Sequence, residues 1–349
     1  MTGPQVSMIV INWNGRAHLE RGLPPLLAQR DVKYDVLLVD NGSTDGSVEL
    51  VQRQFPQVRL IPLERNHGFV VANNIGIAAS DAEFVVTLNN DTVPEPDWLA
   101  ALVEAAAGDA GIAAVASKML FYGRPDLLDS AGVAADIAGH AWDMAAGQPD
   151  PGTEERGVRE VFGVCAGAAL FRRAALLEAG AAQGPGRGPF DEDFFNHAED
   201  VDLCWRLRRL GYRCMYAPAA RVLHVRSAAD PEAAPKKTFV QGRNKFWVMF
   251  KNYPAGVLAR WLPVILLYDT LSVARQLVTQ RHFAAASGRL AAWAGFGRMR
   301  AKHAYVERAA RVPFAAVRAH LTPLAAPWAV ARRFAQHREA YRAGGAGIR

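Results

Sequence analysis

FVVTLNNDT, residues 84–92, is an apolar, β-branched run that stops abruptly at Asn89-Asn90-Asp91. Such a run reads as a buried strand delivering polar groups to its C-terminal edge. That edge is where open α/β sheets bind ligands. A carboxylate on the rim of a rigid strand can ligate a divalent cation that a diphosphate also coordinates, so Asp91 is a candidate metal ligand. The same three residues also suit a plain polar turn. The neighbouring stretches have to decide between these readings.

Upstream, the chain alternates. Residues 6–13 form an expected strand, and the leucine spacing over 16–29 (Leu19, Leu23, Leu26, Leu27) predicts a helix packed on it. A second strand, 34–39, ends in DNGSTDGS (40–47), and a helix follows over 48–55. A short third strand, 58–62, precedes Asn66-His67-Gly68-Phe69 and a helix to Ala79. Alternation of this kind implies α/β architecture with a mostly parallel sheet and right-handed crossovers. No G-x-G-x-x-G follows the first strand, which argues against a dinucleotide-binding Rossmann domain. Instead the strand ends present Asp40, Asn66 and Asp91. Asp40 can accept from a base or ribose, and short Gly42 and Ser43 let the backbone come close. A helix-capping turn is an equally true description of DNGSTDGS.

VSMIVINWNG, VDNGSTDGS, NHGFVVANNIG and LNNDT, in this order, resemble the nucleotide-binding half of family 2 glycosyltransferases and, more narrowly, their rhamnosyltransferase-like branch. The resemblance covers roughly residues 5–250. It implies the GT-A fold and an inverting transferase that uses a nucleotide-diphosphate sugar with Mg or Mn. On this basis the donor is expected on Asp40, Asn41, Ser43, Asn66, Gly68, Asn73, Asn90 and Arg243. Many relatives carry two carboxylates in the metal motif. Here positions 89 and 90 are Asn, and only Asp91 is acidic.

Further on, residues 97–107 predict an amphipathic helix and 112–118 a strand, while 127–143 has the Gly and Asp punctuation of a hairpin or irregular loops. FGVCAGAALFR (162–172) is expected to be a buried strand. Its small residues either admit a substrate, near the acceptor by resemblance, or simply pack tightly. QGPGRGP (183–189) reads as a loop or lid.

The second chemical centre is FDEDFFNHAEDVDLCWRLRRLGY, 190–212. Asn196 and Glu199 have the spacing of a capping box, and Val201, Cys204, Trp205 and Leu207 followed by Gly211 describe an amphipathic helix. Asp200, in its first turn, has no such structural task and suits a general base. The family's Glu-Asp motif places the base on the second residue, which maps onto Asp200. A short strand over 221–224 delivers His224, and in the resembled family a histidine here completes the metal site. Taken alone, a lone histidine is more often a packed or surface residue. QGRNK (241–245) offers Arg243 and Lys245 either to the diphosphate or to a solvated basic turn.

At 349 residues the chain has room for two or three domains. The three cysteines, Cys165, Cys204 and Cys214, are odd in number and lack metal-ligand spacing, which points to a reducing compartment. No basic n-region or cleavage site precedes Val6, so the catalytic part is expected in the cytoplasm. The net charge of +6 conceals an asymmetry: residues 1–249 hold 24 Lys or Arg against 31 Asp or Glu, and 250–349 hold 16 against 3. The expected division is thus a GT-A domain over 1–250, with a nucleotide half to about 120 and an acceptor half after it, followed by basic helices over 251–349. Within these, 257–278 is the most apolar stretch, yet Arg260, Asp269 and Arg275 interrupt it and Pro263 bends it, making it a poor transmembrane span.

The expectation is peripheral association with the anionic inner face of the cell membrane, with packing on the catalytic domain as the alternative. No recognised nucleic-acid motif accompanies the basic charge, so nucleic acid is not an expected partner. The predicted activity is transfer of rhamnose from dTDP-rhamnose, or of a hexose from a UDP-sugar, to a hydroxyl of a glycan or lipid-linked acceptor in surface polysaccharide synthesis. Two other classes compete. A nucleotidyltransferase of similar fold lacks its Lys and Gly-rich loop here. A non-catalytic nucleotide-sugar-binding scaffold would have no need of Asp200 and His224.

Overall fold

The computed structural model describes residues 4–155, 157–226, 234–280 and 282–345. The elements run β1 (Val6–Asn12), α1 (Arg16–Leu26), β2 (Tyr34–Asp40), α2 (Ser47–Gln54), β3 (Arg59–Pro62), α3 (Phe69–Ala78), β4 (Phe84–Asn89), β5 (Thr92–Pro94), α4 (Trp98–Ala107) and β6 (Ile112–Phe121). There follow β7 (Arg124–Ser130), β8 (Val133–Ala135), β9 (Ala141–Asp143), β10 (Arg159–Val161), β11 (Ala168–Arg172), α5 (Arg173–Ala181), α6 (Glu199–Arg209) and β12 (Arg213–His224). Among the described residues six helices follow: α7 (Ala234–Asn252), α8 (Ala255–Gln280), α9 (Ala284–Ala294), α10 (Phe296–Ala309), α11 (Phe314–Arg318) and α12 (Pro327–Gly345).

One mixed sheet runs β10-β12-β6-β11-β4-β1-β2-β3, with β5 on β12 and β7 on β6, and β8 and β9 make a separate hairpin. Strands β3, β2, β1 and β4 are parallel, as crossover helices require. β11 then enters antiparallel between β4 and β6. Of these, β1, β2 and β4 are buried over most of their length, β1 at every position, which is why they read as continuous apolar runs rather than alternating ones, whereas β3 at the sheet edge is not buried. Their register matters for function: Asn12 lies opposite Asp40, and Ile11 opposite Asn89, so three strands end together and present polar residues at one edge.

Three readings need correction. Residues 162–167 are not strand: the chain turns there, and only Ala168–Arg172 pairs with β4. The short strand expected at 221–224 is the end of the twelve-residue β12, whose pairing with β6 is interrupted between Ala217 and Arg221. QGRNK is no turn but lies inside α7. The other elements appear where the periodicity put them, including the hairpin within 127–143.

The boundary expected near residue 250 falls in α7, and the hydrophobic core continues across it. Trp205 of α6 stacks on Phe314 of α11 at 5.5 Å and 7°, and meets Tyr253 at 5.2 Å. Lys251, fully buried, donates to Asp191, Asp202 and Gln183, each at 2.7 Å, and Lys302 of α10 reaches Asp191 at 2.5 Å and Asp193 at 2.6 Å. Burial works against the charge of Asp191, yet the two lysines hold its carboxyl well below the usual range.

Candidate active site

The strand ends gather the nucleotide-loop residues into one hydrogen-bonded edge. Asp40, buried at the tip of β2, accepts from Asn12 Nδ2 at 2.9 Å and from the Ser43 amide at 2.8 Å. Asn12 in turn accepts from Asn90 Nδ2 at 2.7 Å and donates to Ser43 Oγ at 3.1 Å. Alongside, Asn41 donates to Asn66 at 3.1 Å and to the Gly68 carbonyl at 3.2 Å, and accepts from the His67 amide at 2.8 Å. Gly68 has φ of 87°, and a Cβ there would stand 2.6 Å from the Phe195 ring, so only glycine fits. Asn73 sits deeper, buried in α3, with Nδ2 on its own helix at the Phe69 carbonyl, 2.9 Å away. Asn12 went unread in the sequence. Its signal was available: like Asp40, it is the last residue of a strand.

Pairing of β12 with β5 places His224 opposite Thr92, and so brings it beside Asp91, with Nε2 3.2 Å from Asp91 Oδ1. On its other side, His224 Nδ1 is 2.7 Å from Asp129 Oδ2, and Arg226 also binds Asp129 at 2.7 Å. Burial opposes a charged imidazole, but Asp91 and Asp129 push His224 up to about 9. Two carboxylates thus favour positive charge at this point, carried by the imidazolium itself; a metal ion would bind there by displacing the Nε2 proton. Asp129 on Nδ1 also leaves Nε2 directed at Asp91, the usual support of a ligating histidine. The donor set is two side chains, an imidazole and a carboxylate; among the described residues no group of three metal-ligating side chains gathers. It would therefore be a partial ligand set for a hard divalent ion, which would need further oxygen ligands. Asp129 was hidden in a stretch legible only as hairpin punctuation.

Asp200 stands in the first turn of α6, accepting from the Val201 amide at 2.8 Å and the Ala166 amide at 3.3 Å. The expected capping box does not form. The residue before the helix is Ala198 in the left-handed region, and Glu199, its first residue, is buried with Oε2 unpartnered. Asn196 is therefore not the cap. Burial raises Asp200 to about 6, with Asp143 adding repulsion, and burial with repulsion from Asp200 raises Glu199 to about 8. Both carboxyls are pushed toward the neutral form, Glu199 further than Asp200, so Asp200 is the member of the pair that ionises first, the form a general base needs.

Asp143, on β9, accepts from Tyr341 Oη at 2.9 Å and lies 3.6 Å from Arg226. One contact chain therefore leads from His224 through Asp129 and Arg226 to Asp143, whose charge acts on Asp200. Arg243 is placed elsewhere: its guanidinium lies 4.1 Å over the Trp247 ring and donates to the carbonyls of Asp193 at 3.3 Å and Phe194 at 3.2 Å. Lys245 pairs with Asp269 at 3.4 Å.

With this geometry in view, residues 7–179 match the profile described as glycosyl transferase family 2. Over 246 residues the chain is 31% identical to an N-acetylglucosaminyl-diphospho-decaprenol L-rhamnosyltransferase from Mycobacterium tuberculosis, spanning 62% of this chain and 75% of that protein. The chain belongs to glycosyltransferase family 2. This glycosyltransferase is also 32% identical to an O-antigen biosynthesis protein from Myxococcus xanthus, over 66% of this chain but 18% of the other. A mannosyltransferase from Pyrobaculum calidifontis, solved with GDP-mannose and Mn2+, aligns at a TM-score of 0.51 and 20% identity, covering 99% of this chain and 87% of that one. GalNAc-T7, solved with UDP, GalNAc and Mn2+, aligns at 0.54 and 15% identity over 71% of this chain and 48% of that one. These two likenesses bear out the GT-A fold.

Proposed function

We propose that this glycosyltransferase moves rhamnose from dTDP-rhamnose, with inversion, to a hydroxyl of a lipid-linked glycan acceptor, a UDP-hexose being the alternative donor. The observation that carries this reading is the contact chain joining the Asp91–His224 pair to the surroundings of Asp200. Asp40, Asn41, Ser43, Asn66, Gly68 and Asn90 line the edge for the nucleotide, with Asn73 behind them. Asp91 and His224 would hold a divalent ion, Mg or Mn, which when bound supplies positive charge to the diphosphate. Asp200 takes the proton from the acceptor hydroxyl as its oxygen bonds to the anomeric carbon, while the bond to the diphosphate oxygen breaks on the opposite face. Arg243, held in its second layer, acts on this site through the 193–195 segment rather than on the diphosphate directly. That the mycobacterial relative is an N-acetylglucosaminyl-diphospho-decaprenol L-rhamnosyltransferase supports the rhamnosyl donor and a diphospholipid acceptor.

A place at the membrane belongs to the same proposal. Helix α8 buries Leu258, Ile265 and Asp269 on one face, with Asp269 tied to Arg289 at 3.0 Å, and leaves Leu266, Leu267, Leu271 and Val278 exposed on another. Its mean hydropathy is 1.5 over the best window and its length suffices to cross a bilayer. The charged tether on the buried face favours a helix lying along the surface. The deciding experiment is a donor panel, dTDP-rhamnose, UDP-glucose, UDP-N-acetylglucosamine and GDP-mannose, each with decaprenyl-diphospho-N-acetylglucosamine in vesicles. Release of dTDP with a new rhamnosyl lipid is expected. Turnover with none of the donors rejects the reading.

A further inference from the structure

The base is preceded by a turn of unusual backbone. Among the described residues seven non-glycine residues have positive φ, and three of them, Phe195, His197 and Ala198, fall just before Glu199 and Asp200. Left-handed φ disfavours residues that carry a Cβ, and such residues persist only where their surroundings over-determine them. Two adjacent side chains of α7 meet this turn. Asn244 of α7, fully buried, directs Nδ2 at the carbonyls of His197 at 2.7 Å, Asn196 at 2.8 Å and Phe194 at 3.1 Å. Its Oδ1 accepts from Arg243 Nε at 3.0 Å, and the same arginine donates to the Asp193 and Phe194 carbonyls. Every carbonyl from 193 to 197 except that of Phe195 is thereby tied to two adjacent side chains of α7. The Phe195 carbonyl accepts from the Val70 amide at 3.3 Å, and its ring packs against Gly68, so the turn also abuts the nucleotide loop.

We infer that Asn244, assisted by Arg243, is a positioning residue that holds the 194–198 turn in its left-handed course and so fixes where α6 begins and where Asp200 points. It touches neither donor nor acceptor and acts through the backbone it holds. The inference rests on the assignment of Asp200 as the base. It also gives the Arg-Asn pair of QGRNK a task other than phosphate binding.

The test uses the full chain and transfer from dTDP-rhamnose to decaprenyl-diphospho-N-acetylglucosamine, with three variants: Asn244→Ala, Ala198→Gly and the double variant. Asn244→Ala should lose on the order of 100-fold in kcat, the scale on which a misplaced group costs turnover. Its KM for the donor should stay within a few-fold. The acid limb of its pH profile should also move, because Asp200 would no longer face the same Glu199 and Asp143 carboxylates, Cys165 thiol, and Ala166 and Val201 amides; a merely stabilising residue would leave that limb in place. Glycine enters the left-handed region freely, so adding Ala198→Gly should recover at least tenfold of the loss. Amide exchange over 194–202 supplies a readout independent of substrate: at least tenfold faster in Asn244→Ala, restored in the double variant. Unchanged exchange in that segment, or full turnover by folded Asn244→Ala, overturns the inference. A fully active Asp200→Asn variant would instead overturn the assignment of the base on which it rests.

Discussion

At the scale of single residues, two adjacent carboxylates with different environments make a sharp experiment. Glu199 is held protonated by burial, so Glu199→Gln replaces one neutral acceptor and donor by another and should keep turnover within several-fold at pH 7. Asp200→Asn removes the proton acceptor and should lower kcat by about 1000-fold or more, with donor affinity nearly unchanged. The reverse pattern would assign the base to Glu199. Because the Asp200 carboxyl is raised to about 6, and the ionised form is the active one, kcat/KM should climb with unit slope below pH 6 and level off above it. A limb near pH 4 would show that burial does not govern the group in solution. For the Asp91 and His224 pair, Mn2+ with dTDP should raise the melting temperature of the wild-type chain, and either Asp91→Ala or His224→Ala should remove that rise. An undiminished shift in both variants would place the ion elsewhere.

At the scale of elements, the nucleotide half was legible because parallel strands buried on both faces announce themselves as apolar runs, and polar residues at their ends mark the binding edge. Asp40, Asn66 and Asp91 came from that rule alone, and the same rule missed Asn12 only because a tryptophan after it made the strand look one residue longer. The acceptor half resisted. Asp129 and Asp143 meet His224 and Tyr341 through contacts separated by 95 and 198 positions, which no local pattern carries. The capping box failed for a related reason: Asn196 and Glu199 have suitable spacing, but Asn244 holds the backbone between them in a course that a cap cannot use. The charge break at residue 250 likewise described the surface and not the core. Phe314, far beyond that break, stacks on Trp205 and is buried. Phe314→Ala should therefore destabilise the catalytic domain by about 3–5 kcal/mol, the range for deleting a core aromatic, in a single unfolding transition. A chain that loses only α11, with the remaining transition unmoved, would show the C-terminal helices to be a separate unit.

At the scale of the whole molecule, eight of the fourteen exposed large hydrophobic side chains among the described residues lie between 266 and 296, while the last hundred positions carry 16 basic residues against 3 acidic ones. An apolar face on a segment with an excess of basic residues matches the boundary of an anionic bilayer, where each basic group near the surface contributes on the order of 1 kcal/mol. The burial of Phe314 and Lys302 makes truncation near Tyr253 a poor test, since it would open the core. Substitution on the exposed face is cleaner. Leu267 is 56% exposed and Leu271 48%, one turn apart on α8, and neither supports the interior. The double variant Leu267→Glu, Leu271→Glu should keep the wild-type melting temperature and its nucleotide affinity. Its co-sedimentation with vesicles of phosphatidylglycerol and phosphatidylcholine should fall several-fold, and transfer to a vesicle-borne acceptor should fall with it while transfer to a short-chain, water-soluble acceptor does not. Equal sedimentation of both proteins at low salt would mean that this face does not meet the membrane, and raising the salt would then show whether the arginines alone account for the binding.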